Sequence, residues 1–297
     1  MEPTVKHRKM NTMDSDQNKK ASTSMETRNE ILCITEYQLL RTLLRNRATY
    51  TGITLNKAPR WCKTTNLNML KKFLEIEVDE HGLPIKDQAD ENGDQVKFKN
   101  KILFKDKNIF KEKEFNEHFG RYPVIYVNFK GVYGDSFEDV LRSFRFVLHD
   151  SFKKHLYLKK SKIWLEEGND ISEFIKYVDH AEYKTLTRKE IEKGLRYLSE
   201  LLYKHFNKKV YVLIDAYSIP LSNASFNDCF SNDDLKKVIW LISDIIIVLL
   251  KDNKYVYDAL MNPYHYCEFY YRMQTILHTI LSYLKSFVNI TVLHQKK

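Results

Sequence analysis

The run KVYVLID, residues 209–215, decides the fold. Between Lys209 and Asp215 every residue is β-branched, aromatic or aliphatic, with no polar alternation, which is the pattern of a strand buried on both faces. PVIYVNF, residues 123–129, reads the same way. Patterns of helical period separate and follow them. Ser136 with Asp139 opens one helix through Leu141, Phe144, Val147, Leu148 and Phe152 toward Leu156. Thr187 with Glu190 opens a second through Ile191, Leu195, Leu198 and Leu202, and Ser231 with Asp234 caps a third carrying Val238, Leu241, Ile242, Ile245 and Leu249. A hydroxyl or carboxylate three residues apart ahead of an apolar run satisfies the free amides of a first turn. Residues 52–56, 255–261 and 288–293 read as further strands and 271–287 as a helix. Strands alternating with helices predict an α/β fold, a parallel β-sheet flanked by helices on both faces.

Composition supports a packed domain. Of 297 residues, 43% are hydrophobic and 13% aromatic, enough for a sizeable core. With 8 Gly and 6 Pro, collagen-like and many-turned all-β architectures are excluded. Lys and Arg number 48 against 39 acidic residues, a net charge of +9 that permits contact with polyanions, nucleic acid included, without requiring it. Cys33, Cys62, Cys229 and Cys267 stand far apart, with no pairing of the CxxC type, so neither a disulfide framework nor a zinc site is expected. The most apolar run, 238–250, is too short to span a bilayer and is broken by Asp244. With no leader pattern at the start, the expectation is an intracellular protein, cytoplasmic or nuclear, with no membrane partner.

Residues 1–30 are polar and aperiodic and read as a disordered tail. Residues 31–47, with Leu32, Tyr37, Leu40 and Leu44, have helical spacing. The stretch APRWCKTTNLNMLKKFLEIEVD, residues 58–79, carries a stripe of Leu67, Leu70 and Leu74, with Thr64 and Thr65 at the start of that helix. Residues 79–118 run from acidic to lysine-rich and predict a surface excursion. The lysines 97, 99, 101, 105 and 107, with Phe98 and Phe104 among them, form no pattern that suggests base stacking and read as a solvated loop.

In a parallel sheet, ligands collect beyond the carboxyl ends of the strands. Lys63 and Thr64 follow the first expected strand and open a helix, the chemical core of a phosphate loop: an ammonium for phosphates, a hydroxyl for Mg²⁺, and free helix amides. Cys62 stands where such a loop has its second glycine. A hydrophobic strand that delivers Asp215 at its tip is what such a site uses to hold the water shell of Mg²⁺. A glutamate next to that aspartate would place a base beside the attacking water; this chain has Ala216.

Four stretches resemble the AAA-ATPase-like family, whose fold is that of P-loop NTPases and whose members often carry a nuclease-like domain downstream. Residues 58–79 resemble its phosphate-loop segment. FNEHFGRYPVIYVNFKGV, 115–132, resembles its second strand with the turn before it. LRYLSELLYKHFNKKVYVLIDAYSIPL, 195–221, resembles its helix and magnesium strand, and LKDNKYVYDALMNPY, 250–264, resembles the strand carrying its polar sensor. The resemblance implies ATP and Mg²⁺ as ligands, with Cys62, Lys63, Thr64, Thr65 and Asn262 at the nucleotide and Thr64 and Asp215 at the metal. The departures are Cys62 for glycine, Ala216 for the catalytic glutamate and Ser218 for the second aspartate of the family motif. They imply a degenerate, noncatalytic or weak nucleotide-binding module at 31–297, truncated before any lid or nuclease-like domain, that works through a protein partner. Two alternatives stand beside it. One is an active ATPase using a base or arginine from elsewhere, and the other is a basic nucleic-acid-associated protein that keeps the fold as scaffold.

Overall fold

The computed structural model describes residues 63–85, 99–262 and 290–292. The tail 1–30, the helices expected at 31–47 and 271–287, and the strand expected at 52–56 lie outside the described residues. Ahead of the first described strand come α1 (Lys63–Leu74), α2 (Lys99–Phe104) and α3 (Lys113–His118). β1 (Val124–Asn128) is followed by α4 (Phe137–Lys153), α5 (Ile171–Val178) and α6 (Arg188–Phe206). β2 (Val210–Asp215) is followed by α7 (Ile219–Ser225) and α8 (Asn232–Leu250), and β3 (Val256–Asn262) and β4 (Ile290–Val292) complete the order. All four strands are parallel and lie side by side in chain order, β1-β2-β3-β4. The fold is α/β, consistent with a P-loop-like architecture. Among the described residues no helix is long and apolar enough to cross a membrane.

The strand order explains the layering. Crossovers of one hand that step in one direction across a sheet leave their helices on one face. Accordingly Leu141, Phe144, Leu148, Leu195, Leu198, Leu202, Leu241 and Ile245, from both crossovers, join Ile125, Val127, Val212 and Ile214 in one core. The starts of these helices follow the sequence pattern. Thr187 and Glu190 form both halves of a capping box. Ser136 and Ser231 accept from the amides of Asp139 and Asp234.

The opposite face has to be covered by what precedes β1. Leu67, Leu70, Phe73 and Leu74 of α1 pack with Phe104, Ile109 and Phe115 over Val124, Tyr211, Leu213 and Leu260. This corrects the reading of 79–118 as a surface excursion, because from Lys99 onward the segment covers the sheet. Its phenylalanines are divided among lysines and pieces of a few residues, too short for a helical period to show. The helix expected to run toward Leu156 ends at Lys153, and α5, also unforeseen, packs against α4.

Candidate functional site

Alternation along a strand sends successive side chains to opposite faces. Val210, Val212 and Ile214 of β2 enter the core under α4, α6 and α8, whereas Tyr211 and Leu213 face α1. Asp215, next in the alternation, therefore belongs to the α1 face, and it is 1% exposed. The register places Asn128 of β1 and Asn262 of β3 level with it on either side. Three polar residues thus form a row across the carboxyl edge of adjacent strands.

The direction of α1 brings its amino end to the same edge. Its carboxyl end is tied to the start of β1: Tyr122 N–H donates to Leu74 at 2.9 Å and Ile76 N–H donates to Tyr122 at 2.9 Å. A helix of 12 residues is roughly 18 Å long, about the length of a strand of this size. Running back along β1 and β2, α1 ends with Lys63 toward the carboxyl edge, where Asp215 sits. Thr64 and Thr65 are exposed in its first turn. Cys62 lies outside the described residues.

The sequence reading missed two neighbours of Asp215. Tyr126 Oη donates to Asp215 Oδ2 at 3.3 Å, and Asn128 Nδ2 donates to the same oxygen at 3.4 Å. Burial, and then the Asp215 charge, push the Tyr126 phenol above its ordinary range, so it stays a donor to the carboxylate. The signal was present in PVIYVNF, where period two puts Tyr126 and Asn128 on one face. Asn128 Oδ1 also accepts from the Lys130 amide at 2.8 Å, which fixes its orientation.

These residues fit a magnesium nucleotide. Asn66, in the first turn of α1, holds its Oδ1 buried with no hydrogen-bond partner among the described residues, an acceptor that calls for a donor. The carboxylate of Asp215 and the hydroxyl of Thr64 are oxygen donors suited to that ion and its waters. The turn after β2 is tightly folded: Ala216 has φ 56° and is 2% exposed, and Tyr217 and Ser218 are buried behind it.

The family described as "Predicted AAA-ATPase" has a model that matches residues 91–262, more than half of the chain. The chain belongs to this family. No curated protein and no solved structure matches it. The matched span of this AAA-ATPase-like chain includes Asn128, Asp215 and Asn262, while Lys63, Thr64 and Thr65 precede it.

Proposed function

We propose that this chain is a noncatalytic nucleotide-binding module that acts through a protein partner. The observation that carries the reading is the row Asn128, Asp215 and Asn262 on the edge toward which α1 opens. In this reading Lys63 meets the phosphates, Thr64 and Asp215 hold Mg²⁺ through its waters, and Asn262 contacts the terminal phosphate. The bound ion would neutralise phosphate charge. Tyr126 and Asn128 orient the Asp215 carboxylate by donating to one of its oxygens.

Noncatalytic character rests on two substitutions relative to the family pattern. Ala216 has no carboxylate to orient water, and general-base assistance is worth about 10²–10⁴-fold. Cys62 adds a Cβ where backbone must approach phosphate closely. Isothermal titration with ATP and Mg²⁺ tests the reading: we expect heat of binding that Asp215→Asn and Lys63→Ala both reduce, with negligible phosphate release. Cys62→Gly should raise affinity, because it removes the Cβ from the approach of backbone to phosphate. Turnover at ordinary ATPase rates in the wild type, abolished by Lys63→Ala, would replace this reading with that of an active ATPase.

A further inference from the structure

The amino edge of the sheet, opposite the row described above, holds a cleft of about 530 Å³. That volume is in the range of small-molecule sites. Its apolar wall is aromatic: Phe115 lies stacked on Phe119 with ring centres 4.5 Å apart, Phe110 stands 4.7 Å from Phe115, and Phe206 closes one side. Its polar lining is cationic, with Lys101, Arg121 and Lys208 against Glu77. The Glu77 carboxylate is turned to other work, one oxygen accepting from the Lys99 amide at 3.0 Å and the other from the Asn100 amide at 2.8 Å.

Two of these cations stand on the segments that lead into neighbouring strands: Arg121 lies three residues ahead of Val124 and Lys208 two ahead of Val210, and both line the cleft. The Arg121 guanidinium donates to the carbonyl of Asn116 at 3.4 Å, and no carboxylate among the described residues pairs with it or with Lys208. Both are exposed at the rim.

We propose that this cleft binds a small molecule with one anionic group, carboxylate or phosphate, on an aromatic or aliphatic body. The body lies against the phenylalanine wall and the anion bridges Arg121 and Lys208. This site is separate from the nucleotide edge and does not depend on it.

Binding of the fluorescent anion anilinonaphthalene sulfonate to the full chain tests the proposal, with phenylbutyrate, phenyl phosphate and neutral phenylbutanamide as competitors. We expect displacement by one or both anions and not by the amide; which anion competes better identifies the source chemistry. The double variant Arg121→Gln with Lys208→Gln should lose about tenfold in probe affinity, the size expected for two partly solvated charges. Asn116→Trp, at an exposed lining position on α3, should obstruct the mouth and weaken binding with all the charges retained. Equal displacement by the amide, or undiminished probe affinity in a cooperatively melting double variant, would overturn the site. Should the double variant fail to fold, undiminished affinity in Asn116→Trp overturns it instead.

Discussion

The two faces of the sheet are covered by different means. One carries α4, α6 and α8, helices of 17 to 19 residues whose starts are capped and whose apolar stripes merge into one large core. The other carries α1 and a series of shorter pieces whose cohesion comes from rings, with Phe73 edge-on to Phe104, Phe115 and Phe119 at 5.4, 5.7 and 5.6 Å. Long amphipathic helices bury area continuously, whereas the thinner cover depends on a few large side chains. The row Asn128, Asp215 and Asn262 and the amino-edge cleft both lie against this thinner cover, so one face supplies global stability while the other carries both proposed sites.

The largest expected effect is on the thick face. Phe152 is fully buried and stacks on Tyr177 at 4.2 Å. Phe152→Ala should cost about 3–5 kcal/mol, the range for a buried ring replaced by a methyl. Urea melts followed by far-ultraviolet dichroism and by tyrosine fluorescence should shift together to lower midpoint.

Phe73→Ala breaks the comparison if the two faces are one cooperative unit. Phe73 is fully buried at the centre of the ring cluster, and its removal should cost about 3 kcal/mol. The loss should fall locally, because stability is distributed over units that open separately. Limited trypsin digestion should then cut among the lysines of 99–113 while fragments containing α4 to α8 persist. Simultaneous loss of all fragments would show that both faces melt as one.

Acid sharpens the comparison at the seam between the faces. His155, just past α4, is buried and its Nδ1 pairs with the Tyr157 hydroxyl at 2.9 Å. Burial, and then the charges of Lys71 on α1 and Lys154, hold its imidazole down at about 3. The unfolded chain protonates this group near pH 6.5, so between there and about pH 3 the unfolded state binds more protons. Stability is therefore full above pH 6.5 and falls as the pH drops, with a limiting slope of about 1.4 kcal/mol per pH unit. Denaturant midpoints measured from pH 6.5 to 5, above the carboxylate range, should show this slope in the wild type. In His155→Gln it should be flattened.

The same contrast governs what the sequence disclosed. β1 and β2 stand out as unbroken apolar runs, and Ser136, Thr187 and Ser231 mark helix starts because capping is a local interaction. Asp215 was legible as a carboxylate at a strand tip, whereas Asn262 was singled out only through the resemblance of residues 250–264 to the family's sensor strand. The cover of α2 and α3 was not, since Phe104, Ile109 and Phe115 acquire a common direction only when folded onto α1. Tyr126 and Asn128 needed the register with β2 before they could be recognised as partners of Asp215. The cleft was invisible for the same reason, because Arg121 and Lys208 are separated along the chain and come to line one cleft only in the folded sheet.

The smallest expected effect tests the turn that joins the two regimes. Ala216 follows Asp215 with φ 56°, a left-handed conformation that costs a residue with a Cβ about 1 kcal/mol, and its carbonyl accepts from Ile219 at 3.0 Å. Ala216→Gly would relieve that strain, but it would also expose less apolar surface to burial and loosen the unfolded chain, losses of about 0.8 and 0.4–1 kcal/mol. The opposing effects nearly cancel, so the melting midpoint should move by less than the equivalent of about 1 kcal/mol. Ala216→Val keeps the left-handed requirement and adds a branched side chain at a position only 2% exposed, so it should destabilise by clearly more than Ala216→Gly. If both substitutions were equally tolerated, the turn would be free to adopt another conformation. Asp215 would then owe its position to β2 and to Tyr126 and Asn128 alone, and the turn would contribute nothing to holding the row together.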